Sequence, residues 1–272
     1  MVAIFSFIFS SLSDNITATL VSVALVLSLK LPPHKTLKFA VMVVFAVNSG
    51  GVSLITGDVT TLMIFLDNKV AIQDLLWLSL PSFVSVMLLA SMLSFGLSGE
   101  LLIDGGARTH DRVGMSIAII FLATIISTIL LNIIAGIPPV LTFLFGLSIM
   151  FLIGRFFHKQ DSREDMLDYI RAIEFDTLLF FLGILLLVGM LKEIGVLDNL
   201  VTIYEVLPPI HANFVMGLLS SLVDNVPLTA ALLKADPAMT EASWLSLTYA
   251  VGVGGSLLVI GSAAGIVAMS KV

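Results

Sequence analysis

Three carboxylates, Asp14, Asp58 and Asp224, interrupt stretches of sequence that are otherwise apolar. An ionised carboxylate at membrane depth costs roughly 3 kcal/mol on insertion scales, so such groups persist where they meet a cation, a proton or water. No Lys, Arg or His breaks the same segments to neutralise them. Around them stand neutral oxygen donors: Asn15, Thr17, Asn48, Ser49, Thr60, Thr61, Ser220, Asn225, Thr229, Ser256 and Ser262. Carboxylate, amide, hydroxyl and freed backbone carbonyl oxygens together suit a hard cation. Burial and a neighbouring carboxylate both favour the neutral form of a carboxyl group. One site of this kind can therefore hold a proton or a cation, and the two compete.

The elements that must position these groups come in two copies. Ser-Leu-Ser-Asp-Asn at 11–15 returns as Ser-Leu-Val-Asp-Asn at 221–225, and Gly50-Gly51 followed by Gly57-Asp58 returns as Gly254-Gly255 followed by Gly261-Ser262. Glycine pairs let a helix unwind inside a membrane protein, exposing carbonyls and half-helix ends. Gly50, Gly51, Gly57, Gly254, Gly255 and Gly261 are accordingly expected to be structural helix breaks. A duplicated membrane protein with interrupted helices and carboxylates at the breaks reads first as an ion-coupled transporter.

Composition sets the environment. The 272 residues are 58% hydrophobic and only 12% charged, about half the charge of a soluble domain, and the mean hydropathy is +1.11. The chain reads as an all-α, multi-pass integral membrane protein. With no cysteine, thiolate chemistry and disulfides are excluded, and no basic tract suits nucleic acid.

Along the chain, apolar arms flank the first Asp-Asn at Met1–Leu12 and Ile16–Leu31. A helix from Leu37 runs into the first glycine motif and resumes over Thr60–Leu66. Ile72–Phe95, Val113–Ile134 and Val140–Phe157 read as full spans, and Gly96–Arg112 as a loop. His158–Asp176 is a charged linker with a surface helix over Asp161–Arg171. Thr177–Leu191, Leu197–Leu207, Ile210–Leu222, Val226–Leu233 and Ala242–Val253 complete the second half.

Ile210–Leu222 is too short to cross a bilayer, which favours a re-entrant hairpin with its tip at Asp224-Asn225 over one kinked helix. Alternating crossings place ten of the thirteen Lys and Arg on one side, with Lys69, Lys192 and Lys234 on the other. Positive residues stay in the cytoplasm, so the two hairpins open to opposite sides. The expected organisation is a first repeat over 1–95, connecting spans and linker over 96–174, and a second repeat over 175–272. The first repeat looks shortened at its start and the second at its end.

Asn48-Ser-Gly-Gly-Val-Ser-Leu-Ile-Thr-Gly-Asp-Val-Thr-Thr61, Ser220-Ser-Leu-Val-Asp-Asn-Val-Pro227 and Gly254-Gly-Ser-Leu-Leu-Val-Ile-Gly-Ser-Ala-Ala-Gly265 resemble the NhaD-type sodium/proton antiporters. That family belongs to the wider ion-transporter superfamily. The resemblance implies inverted repeats with re-entrant hairpins and unwound helices, and homodimers in a bacterial inner membrane or plastid envelope. It carries the important polar positions onto Asp14, Asn15, Asn48, Asp58, Thr60, Thr61, Ser220, Asp224, Asn225, Ser256 and Ser262. The expected cargo is Na⁺ or Li⁺ in exchange for H⁺, with no cofactor and no enzymatic step. Where many relatives have proline in the first glycine loop, this chain has Leu54-Ile55-Thr56.

Three alternatives stand beside this. A sodium-coupled carboxylate or oxyanion carrier of the same superfamily would show Ser-Asn-Thr at its hairpin tips, where this chain has Asp-Asn. A non-transporting remnant would fold only with a partner segment. An intramembrane aspartyl protease would carry Gly-x-Gly-Asp, but Ile55 stands two before Gly57.

Overall fold

The computed structural model describes residues 1–95, 112–157, 175–196 and 198–272, and every regular element among them is helical. The expected loop after Phe95 and the charged linker with its surface helix fall outside the described residues. In chain order the helices are α1 Val2–Leu12, α2 Asn15–Ser28, α3 Pro33–Gly51, α4 Val59–Leu66, α5 Ile72–Ser94, α6 Arg112–Ala135 and α7 Pro139–Phe157. There follow α8 Phe175–Glu193, α9 Asp198–Val206, α10 Pro209–Ser220, α11 Asn225–Ala235 and α12 Glu241–Gly254, then a 3-10 turn Val259–Gly261 and α13 Ala263–Lys271. The chain divides into two compact units, one of Met1–Ile103 with Leu185–Val272 and one of Asp104–Ile184. In the second unit α6 and α7 pack on each other, and Gly146 lies so close to Thr124 that a Cβ there would overlap its side chain.

Among the described residues two helices are long and apolar enough to cross a membrane, Ile72–Ser94 and the Met115–Ala135 part of α6. Elsewhere the chain breaks at 13–14, 52–58, 221–224 and 255–262. Each break divides an apolar stretch into two shorter helices. Pro33 and Pro209 start α3 and α10 at positions where a missing N–H costs nothing.

The pairing of these short helices in the first unit follows one pattern. α1 packs on α3 and runs parallel to it: Ala3 and Phe7 share a core cluster with Met42 and Ala46, while Ser11 Oγ lies 3.1 Å from the Gly50 carbonyl oxygen. α10 packs on α12 likewise, with Asn213 Nδ2 donating to Ser243 O at 2.7 Å and Ser220 Oγ to Val251 O at 2.8 Å. α2 returns to the end where α3 begins, and α11 returns to the end where α12 begins. Beyond its break each long helix continues against the other copy, α4 on α11 and α13 on α2. Ala264 and Ala268 of α13 join Ala18, Val23 and Val26 of α2 and Val43, Val44 and Val47 of α3 in one buried cluster.

Many buried positions are small or polar: Ala18, Ala40, Ala46, Ser10, Ser22, Asn48 and Thr61 are all at 0% exposure beside larger groups such as Ile64, Leu75 and Met216, while Trp77, Leu88 and Met92 of α5 are 62–70% exposed. A soluble protein would bury the large apolar groups. In lipid, where apolar surface gains nothing by hiding, small residues that permit close backbone packing line the contacts instead.

The far ends of α4 and α11 are tied together. Lys69 Nζ lies 2.6 Å from Asp236 Oδ1 and 5.3 Å from the Trp244 ring centroid, and Ala71 N donates to Glu241 Oε1 at 3.0 Å. Lys192 Nζ donates to the Lys234 carbonyl oxygen beside them at 2.6 Å. The three lysines assigned to one side by the charge count thus sit at one end of this unit. The Asp236 hydrogen bond holds the Lys69 ammonium above the ordinary lysine value. The contribution of the pair is therefore complete below the unfolded lysine value, and is lost only as pH rises through the raised one. The Asp236 side chain is 61% exposed, so Lys69→Met is expected to cost no more than about 1 kcal/mol. A melting curve of the detergent-solubilised variant checks this, and a collapse of the fold would contradict it.

Candidate functional site

Each break leaves a half-helix N-terminus, whose first N–H groups have no partner within the helix. The residue that caps each one is a predicted site residue. Asp14 Oδ1 accepts from Ile16 N and Thr17 N at 2.9 Å, Asp58 Oδ1 from Thr60 N at 3.1 Å, and Asp224 Oδ1 from Val226 N at 3.4 Å. Ser262 Oγ accepts from Gly265 N at 3.2 Å. Capping by Asp and Ser is locally favourable, and the positive end of each helix dipole offsets the charge of the carboxylate it meets. A cap does not saturate a carboxylate, and the second oxygen of Asp58 faces the other copy.

There Asn225 Nδ2 donates to Asp58 Oδ2 at 3.0 Å, a buried bond between the first half of the chain and the second. A second such bond joins Asn48 Nδ2 to Ser262 Oγ at 2.9 Å. Asp58 is 6% exposed, Asn225 3%, Asn48 0% and Ser262 2%. Asp224 is half-buried and close enough to act electrostatically on Asp58. Asn15 Oδ1 lies against Gly51, 2.6 Å from where a Cβ would be, and the Asp58 Cβ would be 3.1 Å from that point. Thr61 Oγ1 is 3.4 Å from the Gly51 carbonyl oxygen. Asn15, Asn48, Asp58, Thr60, Thr61, Asn225 and Ser262 thus surround the broken middle of the fold. Asn48 Oδ1 is buried there with no hydrogen-bond partner.

Asp14 stands apart. It is exposed, with one oxygen held on two backbone N–H groups. Among the described residues no three His, Asp or Glu side chains come close enough to share a metal ion, and the carboxylate that acts on Asp58 is Asp224. Ser256 Oγ turns back to Val253 O at 2.5 Å and is only half-buried.

The glycines act in a way their spacing did not suggest. Gly50 and Gly51 are helical residues of α3, and the chain leaves the helix only after them; Gly254 likewise ends α12. Their role is close approach. A Cβ on Gly50 would meet the Phe7 carbonyl oxygen, and one on Gly254 the Gly217 carbonyl oxygen. Gly57 and Gly261 lie within the breaks, where Cβ atoms would come 2.6 Å from the Ser10 oxygen and 2.8 Å from the Ser220 oxygen.

Sequence reasoning singled out Ser220 and passed over Ser10. Ser10 is fully buried, with Oγ 2.7 Å from Val47 O and 3.0 Å from Asn15 Oδ1. It does for α1 and α3 what Ser220 does for α10 and α12. The signal was present, since each serine stands four positions before its Asp.

Residues 1–266 match the family described as "Citrate transporter". The chain belongs to that family. Among its relatives in the family is the Na(+)/H(+) antiporter NhaD of Alkalimonas amylolytica, 31% identical over 298 residues, covering 98% of this chain and 61% of that protein. The Na(+)/H(+) antiporter NhaD of Vibrio cholerae is 33% identical over 293 residues, covering 97% and 61%. Sodium/proton antiporter 2 of Arabidopsis thaliana is 32% identical over 291 residues, covering 97% and 67%. The NhaD resemblance carried by the Asp-Asn and glycine motifs holds along nearly the whole chain, which spans 61% of the length of the first two relatives. This member of the citrate-transporter family is an integral membrane protein.

Proposed function

We propose that this chain exchanges Na⁺ or Li⁺ for H⁺, with Asp58 as the group that binds cation and proton in turn. The observation that carries the reading is Asp58 itself. It is a buried carboxylate in a helix break, fixed by Asn225 and Thr60 N, with the unpartnered oxygen of Asn48 in the same broken region. A desolvated cation there would find a carboxylate together with amide and hydroxyl oxygens. Protonation of the carboxylate removes the charge that holds the cation, so loading a proton releases the ion. Deprotonation on the other side recruits it again. The names of the relatives from Alkalimonas amylolytica, Vibrio cholerae and Arabidopsis thaliana support the same exchange.

In the accompanying architecture α1–α2 and α10–α11 are re-entrant hairpins opening to opposite sides, and α3–α4 and α12–α13 are the interrupted crossings of an inverted repeat. The parallel pairs α1 with α3 and α10 with α12, and the crossed pairs α4 with α11 and α13 with α2, support this reading. Asp58, which corresponds to Ser262, and Asn48, which corresponds to Gly252, would be the positions at which the two copies diverged. The proposed setting is a bacterial inner membrane, as a homodimer, with the Lys69 end outward.

The family's description, "Citrate transporter", favours a second reading, sodium-coupled uptake of a carboxylate. Asp58 and Asp224 at the centre oppose it, because an anion would have to dock between carboxylates.

The test uses proteoliposomes containing the full chain, an imposed proton gradient and added NaCl. Na⁺-dependent dissipation, lost in Asp224→Asn, is the expected result. Uptake of labelled citrate with no effect of NaCl on the proton gradient would favour the second reading. Silence in both assays, from inserted and folded protein, would contradict the proposal.

A further inference from the structure

Thr229 and Thr19 occupy matching places in the two copies, each one helical turn beyond the Asn of its Asp-Asn pair. Their hydroxyls behave differently. Thr19 Oγ1 donates to the Asn15 carbonyl oxygen at 2.7 Å, the usual way a helical threonine satisfies itself. Thr229 is as deeply buried, at 1% exposure, yet its Oγ1 has no hydrogen-bond partner. A buried hydroxyl left unmade is costly, and here the remedy used by its counterpart is not taken.

Its position says what the hydroxyl serves. Residues four apart share a face of a helix, so Thr229 lies on the face of α11 from which Asn225 reaches Asp58. α11 packs on α4, the helix that Asp58 caps. Thr60, in the first turn of α4, is likewise buried, with its side chain beside the Asp58 carboxylate. Buried unpartnered oxygens occur elsewhere in the chain, at Ser22 and Thr142 for instance. Thr229 differs from these in standing one turn from the amide that holds the central carboxylate. We infer that the Thr229 hydroxyl is an oxygen ligand for the cation on the α4–α11 side of Asp58, a role its counterpart Thr19 does not share. The inference rests on the exchange reading above and assigns it a residue that the repeated motifs do not contain.

The experiment reads cation binding without transport. Thermal melting of the full chain in detergent is followed against NaCl, with choline chloride holding ionic strength constant, because a ligand that binds only the folded state raises the melting temperature. The wild type is expected to show a saturable Na⁺-dependent rise that Asp58→Asn lacks. Thr229→Val, close in shape but without the hydroxyl, should raise half-saturating Na⁺ by about tenfold, while Thr229→Ser stays within about twofold. Thr229→Ala serves should the valine variant fail to fold, and the same contrast with serine is required of it. Equal Na⁺ dependence in wild type and hydroxyl-less variants would overturn the assignment of Thr229 and leave the exchange reading standing. A wild type with no Na⁺-dependent rise would overturn both.

Discussion

Asp58→Asn is expected to leave the protein folded and to reduce Na⁺-dependent proton movement to below about one hundredth of the wild-type rate, a barrier increase of about 3 kcal/mol. The two halves of that expectation have separate causes. An asparagine side-chain oxygen can still accept from Thr60 N, so the cap on α4 is retained at little cost. The negative charge is lost, and no neighbour replaces it, since Asp224 is only half-buried and Asp14 is exposed. Flux measured in proteoliposomes, beside a melting curve of the same preparation, separates the two effects. Unfolding of the variant, or activity near wild type, would remove Asp58 from the centre of the account.

Gly254→Val is expected to have the largest effect on the fold. A Cβ at Gly254 would sit against the Gly217 carbonyl oxygen, which is backbone of α10 and has no rotamer with which to yield. Overpacking of a side-chain core costs about 1–3 kcal/mol, and a clash between two backbones exceeds that because a whole helix must move. The variant should fail to give a monodisperse folded species in detergent, with Gly50→Val failing similarly against Phe7 O. Gly189→Ala is the control: nothing lies within 4 Å of the added atom, and alanine favours helix over glycine by about 1 kcal/mol. A normal melting curve from Gly254→Val would mean that α10 and α12 are not in the contact described.

Much of this arrangement was legible because it is local. Asp14 and Asp224 each fall between two apolar arms, and each caps the helix that follows it. The glycine pairs were legible only as special positions. Whether a glycine serves unwinding or contact depends on what faces it, and Phe7 and Gly217 lie far away along the chain. The bonds from Asn225 to Asp58 and from Asn48 to Ser262 span 167 and 214 positions. No periodicity connects residues so distant. The repeat placed these groups in equivalent helix breaks, but only the packing of α4 on α11 and α13 on α2 brings the two copies together. The same limit hid the exposure of Asp14, which its motif makes identical to Asp224.

The claim at the centre is that Na⁺ and H⁺ compete for Asp58, and equilibrium binding of labelled Na⁺ to the purified chain at a series of pH values tests it most directly. Where one proton must leave for each cation bound, the apparent dissociation constant should rise about tenfold for each pH unit lowered across the protonated range. Asp58→Asn should show neither the binding nor the dependence. Na⁺ binding that is tight and unchanged across the pH series, or that survives in Asp58→Asn, would contradict the account.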